Sequence, residues 1–216
     1  MYVILNAAIS IDGKISTIKN DSAFSSKMDL VRVHELRSTI DGIVIGISTV
    51  LEDNPMLNVR YSTKGAKNPT RIIIDSKARI PLDSRIIESS KKIKTIIAVT
   101  HNASSKKIKE IENKGAQVLV FGNGKVNIRN LFRQLEKIGL KKILVEGGGE
   151  INWSVLKLDL VNELIVTISP VVIGGRDAKT LVEGKGFANI SDAIKMKLSN
   201  TMIQNKNEIV LFYKLR

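Results

Sequence analysis

The sequence predicts an α/β fold in which a mixed, mostly parallel central sheet is flanked by helices and finished by an antiparallel C-terminal hairpin. Three observations predict it. Short, unbroken β-branched runs such as RIIID and KTIIAV recur along the chain, as strands buried on both faces require. Amphipathic stretches of ~10–15 residues separate several of them, the length of crossover helices. The last stretch, AIKMKLSNTMIQNKNEIVLFYKL, carries no helical period and reads as two strands joined around Gln204–Asn207.

Taken in order, Tyr2–Ile9 (YVILNAAI) is a buried strand and Asp12-Gly13 the turn that follows it. Ser26 is placed to cap the helix KMDLVRVHELRS, on which Met28, Val31, Val33 and Leu36 form a loose apolar stripe. Asp41-Gly42 breaks that helix, and GIVIGIS is the next strand. Ser48 and Thr49 are placed to cap a short helix after Gly46. Asp53-Asn54-Pro55 then turns the chain, because the residue before a proline is disfavoured in the helical region. RIIID (Arg71–Asp75) and KTIIAV (Lys94–Val99) are further strands. ASSKKIKEIENKG, stopped by Gly115, feeds the strand AQVLVF; VNIRNLFRQLEKIG, stopped by Gly139, feeds KKILVE. EINWSVLKL is a third such helix, ahead of NELIVTISPVVIG. With no repeat and no linker, residues 1–216 read as one domain.

Composition narrows the function. With 25% charged and 43% hydrophobic residues the chain is an ordinary globular one. No apolar run approaches the ~20 residues of a membrane span. The apolar N-terminus lacks the basic region of a signal peptide, so the cytosol is the expected compartment and no membrane partner is expected. The absence of cysteine removes a disulfide framework, a thiol nucleophile and a thiolate metal site. With only His34 and His101, a multi-histidine metal site is not expected either. The net charge of +13 suits small anionic ligands, or a plain lysine-rich surface. Nucleic acid is not an expected partner, because the basic residues are spread along the chain and aromatics make up only 4%.

Three segments are able to carry chemistry. In ILVEGGGEIN (Ile143–Asn152) a strand runs into Gly147, Gly148 and Gly149 and then a helix. Glycines let the backbone approach a ligand and a helix N-terminus attracts phosphate; the bland reading is a tight turn. Glu146 stands at the carboxyl end of that strand, where open α/β sheets bind ligands. In GISTVLEDNPMLNVR (Gly46–Arg60), Thr49 is a cap or a ligand contact, and Arg60 a solvated charge or a phosphate clamp. NDSAFSS (Asn20–Ser26) is a polar loop ahead of the helix that carries Arg37, whose charge also complements the helix dipole.

In order along the chain, AISIDGKI, NDSAFSS, HELRSTIDGIVIGISTVLEDNPMLNVR, PTRIIIDSKARIP, KKILVEGGGEINWSVL, LVNELIVTISPVVIGG and EGKGF resemble the reductase family of riboflavin biosynthesis. GISTVLEDNPMLNVR and VEGGG are the most specific pieces. The resemblance implies a three-layer, dihydrofolate-reductase-like fold. Bacterial relatives commonly fuse this domain to a zinc deaminase that needs a His/Cys/Cys site; a chain without cysteine is similar to the stand-alone archaeal and fungal form. That form implies NADPH as cofactor, with NADH a weaker donor, and a phosphorylated ribosylamino-pyrimidine as substrate. The resemblance places Ala8, Thr49, Asp53, Ser76 and Gly147, Gly148 and Gly149 at the cofactor. It places Ser22, Arg37, Leu57 and Arg60 at the substrate and Glu146 beside the reacting sugar carbon, and it implies a homodimer. Bacterial members usually carry lysine where Asn6 stands and tryptophan where Phe24 stands. Lys77 and Arg79, after a strand end, meet a 2′-phosphate or are surface charges. The same fold also serves reductases of the deaminated pyrimidine or of a pterin or folate.

Overall fold

A computed structural model describes residues 1–61 and 66–215. Its strands are β1 (Tyr2–Ile9), β2 (Gly42–Gly46), β3 (Thr70–Ile74), β4 (Thr95–Val99), β5 (Gln117–Val120), β6 (Lys142–Val145), β7 (Glu163–Ile168), β8 (Met196–Gln204) and β9 (Glu208–Leu215). Its helices are α1 (Lys27–Ser38), α2 (Ile47–Asp53), α3 (Arg85–Glu88), α4 (Ser105–Asn113), α5 (Ile128–Lys137) and α6 (Gly149–Lys157), with a 3₁₀ turn at Ile190–Asp192. The residues group into two compact units, Met1 with His34–Leu144, and Tyr2–Val33 with Val145–Arg216.

The first unit holds the strand order β5-β4-β3-β2-β6, in which β2, β3, β4 and β5 run parallel. Every residue of β2, β3 and β4 is buried, as their unbroken β-branched runs predict. The connecting helices start on side-chain caps: Ser104 Oγ accepts from Lys107 N at 3.4 Å and Asn127 Oδ1 from Asn130 N at 3.0 Å. α5 turns Ile128, Leu131, Phe132 and Leu135 inward, each worth ~1.5–3 kcal/mol when fully buried. β2 is shorter than expected, because Gly46 is already the N-cap of α2. Ser48 and Thr49 therefore lie inside that helix and cap nothing; its start carries no side-chain cap. Glycine is an acceptable N-cap, so the backbone begins the helix before either hydroxyl is reached.

A cation is set into this apolar layer. Arg71, near the start of β3 and paired with Ile43 of β2 and Thr95 of β4, is fully buried. Its guanidinium donates to Thr95 Oγ1 at 2.6 and 3.0 Å, Ser89 Oγ at 2.7 Å, and the carbonyls of Ile86, Ile93 and Met56 at 2.9, 3.1 and 3.2 Å. All these acceptors are neutral, and burial pulls the guanidinium pKa from 12.5 to about 10. It stays charged at neutral pH and ties β3 and β4 to α3 and to the chain around Met56.

The second unit holds the order β1-β7-β9-β8. β1 and β7 are parallel, with Ala8 opposite Thr167, whereas β7/β9 and β9/β8 are antiparallel. The hairpin turns on Asn205 and Lys206, both at positive φ, inside the expected span. α1 departs from the sequence reading. Ser26 caps it as expected, accepting from Asp29 N at 3.2 Å, but Met28 and Leu30 are 52% and 43% exposed while Asp29 is buried. Val31, Val33 and Leu36 of the expected stripe are half-buried, and the strands beneath explain the inward turn of Asp29, since they present Asn6 and Thr167. Asp29 Oδ1 accepts from Arg32 Nε and from Thr167 Oγ1, both at 2.8 Å. Arg32 Nη2 in turn donates to Asn6 Oδ1 at 2.9 Å and Thr167 Oγ1 at 3.2 Å. A polar seat selects the polar face of the helix, since a buried polar group left unpaired is costly.

The turn after β1 is held by Asp12. Its oxygens accept from Ile173 N at 3.0 Å, Gly174 N at 2.7 Å and Ser10 Oγ at 2.7 Å. These bonds, that from Ile173 foremost, lower the carboxyl pKa from 3.8 to about 2. A depressed folded-state pKa stabilises above the ordinary value, and the contribution disappears as pH falls towards the folded value. Asp12→Asn is therefore expected to weaken hydrogen-exchange protection at Ile173 and Gly174 at neutral pH, with the difference from wild type closing between pH 3.8 and about 2. A difference that persists unchanged at pH 2 would show that charge is not what holds this turn. Among the described residues no helix is long and apolar enough to cross a membrane.

Candidate functional site

In the first unit, parallel β2 and β3 bring their carboxyl ends to one edge. From there α2 carries half-buried Thr49 and exposed Asp53, and Ser76 follows β3. Ser76 is bound on both sides: its carbonyl accepts from Thr100 Oγ1 at 2.8 Å and its Oγ accepts from Val126 N at 3.3 Å. Its neighbour Asp75 is fully buried, with Oδ2 accepting from Ile80 N at 2.8 Å. Burial raises the Asp75 carboxyl pKa, and the Ile80 bond and the charge of Arg79, 3.8 Å away, oppose the rise. Arg79 is thus partly engaged by a carboxylate, whereas Lys77 is exposed.

The expected substrate residues of this unit are brought together. Arg37, in the last turn of α1, donates from Nη1 to Asn58 O at 3.4 Å. One turn back, buried His34 accepts at Nδ1 from Arg60 N at 3.1 Å and meets the Tyr61 ring edge-on at 4.9 Å. Arg60 itself is exposed and lies 5.6 Å over the Tyr61 ring. Leu57, buried and at φ +47, forms the bend between them, and Arg71 holds the carbonyl just before it. The loop after α2 is therefore fixed by backbone bonds from three directions, with one guanidinium left on its surface. Sequence reasoning missed His34 as the anchor, because a lone histidine in a helix carries no signal of what it binds.

In the second unit β6 ends at Val145 and half-buried Glu146 follows. Gly147 takes φ +99, a conformation that favours glycine, and the Gly147–Gly148 peptide is cis. Gly148 is the N-cap of α6, and no side chain caps this helix. A Cβ on Gly148 would meet nothing within 4 Å, whereas one on Gly149 would lie 2.7 Å from Thr180 O and from Glu183 Cγ. Gly149 is thus required by packing, and Gly148 faces open space. The chain around Thr180 wraps this first turn, with Asn152 Nδ2 donating to Leu181 O at 2.8 Å and Glu183 N to Gly149 O at 3.2 Å. Beside it lies a cavity of about 640 Å³ lined by Glu150, Trp153, Arg176, Thr180, Glu183 and Lys185, among others. Ala8 is half-buried on β1, and Ser22 is exposed in its loop. Asn6, on the same strand as Ala8, accepts from Arg32 of α1, which brings a guanidinium against it.

The arrangement suits a phosphate group. An uncapped helix start offers N–H groups and positive dipole, and the side chain that would block approach is missing at Gly148. Asn152 Oδ1, buried one turn into α6, has no hydrogen-bond partner.

Comparison with known proteins identifies the family. Residues 1–210 match the family model described as the RibD C-terminal domain. The chain is 40% identical over 210 residues to the 2,5-diamino-6-ribosylamino-4(3H)-pyrimidinone 5′-phosphate reductase of Methanothermobacter thermautotrophicus, covering 97% of this chain and 96% of that protein. Among solved structures, Acinetobacter baumannii RibD superposes with a TM-score of 0.83 at 23% identity, over all of this chain and 58% of its own. Dihydrofolate reductase from Enterococcus faecalis superposes with a TM-score of 0.58 at 14% identity, over all of this chain and 96% of its own, a likeness of fold alone. The α/β architecture expected from the sequence is thus the one these proteins share, and the chain belongs to the RibD C-terminal domain family.

Proposed function

We propose that this chain reduces 2,5-diamino-6-ribosylamino-4(3H)-pyrimidinone 5′-phosphate to its ribitylamino counterpart in riboflavin biosynthesis, with NADPH as the donor and NADH as a weaker one. The observation that carries this reading is the 40% identity, over nearly the full length of both chains, to an archaeal reductase of that name. The uncapped start of α6 at Gly148 supports a dinucleotide partner, to which Ala8, Thr49, Asp53, Ser76, Gly147 and Gly149 are assigned by the resemblance. The same resemblance assigns a homodimer, and the sequence composition supports a cytoplasmic chain with neither nucleic acid nor membrane as a partner.

The bound nicotinamide supplies the hydride, so the protein has to bind, orient and manage protons. A ribosylamine opens to an imine whose C1′ is electrophilic. Glu146, assigned beside that carbon, delivers or holds the proton of ring opening and stabilises the cationic imine. Ser22 and Leu57 are assigned to the substrate by the same resemblance. Arg37 and Arg60 hold the 5′-phosphate, whose oxygens match a guanidinium fork. Single Arg37→Ala and Arg60→Ala variants are expected to raise KM for the phosphorylated substrate about tenfold with kcat little changed. KM for the dephosphorylated compound should not move. Unchanged KM for the phosphorylated compound in both variants would remove the phosphate clamp.

A further inference from the structure

We infer that Glu208, at the start of the C-terminal hairpin's second strand, is a positioning residue for the loop that carries Ser22; this rests on the substrate role proposed for Ser22. Glu208 is 3% exposed, and its carboxylate is bound by neutral donors, chiefly from Ser26 at the end of that loop. Oε1 accepts from Ser26 N at 2.8 Å and from Ser169 Oγ at 3.3 Å, and Oε2 accepts from Ser26 Oγ. Ser26 is also the cap of α1, since its Oγ accepts from Asp29 N at 3.2 Å. One buried side chain from the far end of the sequence therefore fixes where the loop ends and the helix begins.

The hairpin itself has no need of an acid at this position. Two residues on, Val210 is fully buried on the same strand without one, and burying a carboxylate is unfavourable unless specific bonds compensate. The shorter of the compensating bonds come from Ser26 of the loop, and Ser169 Oγ adds a longer one. The loop's other end is tied locally: Thr17 N donates to Asp21 O at 2.9 Å, Asp21 N to Thr17 Oγ1 at 3.2 Å, and Ala23 N to Asp21 Oδ1 at 3.0 Å. Between these ties Ser22 stands exposed. A loop anchored at both ends loses less freedom when a ligand binds it, so the anchor is read out in substrate affinity rather than in the chemical step.

The test is steady-state kinetics of full-length Glu208→Gln with the diamino-ribosylamino-pyrimidine phosphate. KM for this substrate is expected to rise about tenfold, while kcat and KM for NADPH stay within about twofold. A lower melting temperature with both KM values unchanged overturns the inference, because Glu208 would then be structural only. Should Glu208→Gln fail to fold, Ser26→Ala removes one bond of the tether and is expected to raise the same KM about threefold; an unchanged KM overturns the inference. In the double variant, the rise in KM should fall short of the two single increases combined, and fully independent increases overturn it, because residues that share a contact are not additive. If the wild-type protein is silent with this pyrimidine, the proposed reaction fails, and hydrogen exchange decides the tether separately. Loss of protection at Ser26 in Glu208→Gln supports it, and unchanged protection overturns it.

Discussion

Arg71→Met is expected to lower the melting temperature by about 10 °C, a loss of about 3–5 kcal/mol at the scale of a chain this size. The substitution keeps an apolar stem of similar length and removes every donor. The carbonyls of Ile86, Ile93 and Met56 and the Thr95 and Ser89 hydroxyls lose the guanidinium that bridges them. A buried acceptor left without a partner costs about 1–3 kcal/mol, and several are stranded together. Arg71→Lys is expected to recover only part of the loss, since a single ammonium lacks the planar fork that reaches both β4 and α3. Thermal melts of the two variants check this. A fall of less than about 2 °C in Arg71→Met would mean that water or local repacking replaces the guanidinium.

The largest effect on activity is expected from Glu146→Gln, a fall in kcat of about 100-fold or more, the usual scale of general acid–base assistance. The amide keeps the shape of the side chain but neither carries a proton to the opening ring nor offers a negative charge to the imine. Glu146 follows β6 and precedes the Gly147 bend, so its backbone is set by the strand and the turn. KM for NADPH and the melting temperature are accordingly expected to hold. Near-wild-type kcat at saturating NADPH would assign the proton chemistry to another group.

Much of the fold is legible in the sequence because its strands and helices are locally specified. β1 spans the residues read as YVILNAAI, and α4 and α5 begin on Ser104 and Asn127 and end ahead of Gly115 and Gly139. What is not legible depends on partners distant in sequence. Asn6 and Thr167 draw Asp29 and Arg32 of α1 inward, so of the expected apolar stripe Met28 is exposed while Val31, Val33 and Leu36 stay half-buried. Arg71 sits in a β-branched run and reads as strand filler until Thr95 and the carbonyls around it are seen. The short α3, whose buried Ile86 and Ile87 face inward, has too few residues to show a period. At the candidate site the sequence indicates which residues to consider, by glycine spacing and by resemblance. It does not indicate that His34 anchors Arg60, or that Glu208 anchors Ser26.

The central claim is hydride delivery to C1′ of the phosphorylated diamino-ribosylamino-pyrimidine, and the most direct measurement uses NADPH carrying deuterium at C4 of its nicotinamide. The product is isolated after turnover and read by mass spectrometry and NMR, with the deaminated pyrimidine and dihydrofolate run in parallel. The expected result is turnover of the diamino compound, with a single deuterium at C1′ of the ribityl chain. Turnover of the deaminated pyrimidine or dihydrofolate alone, or deuterium anywhere other than C1′, would contradict it.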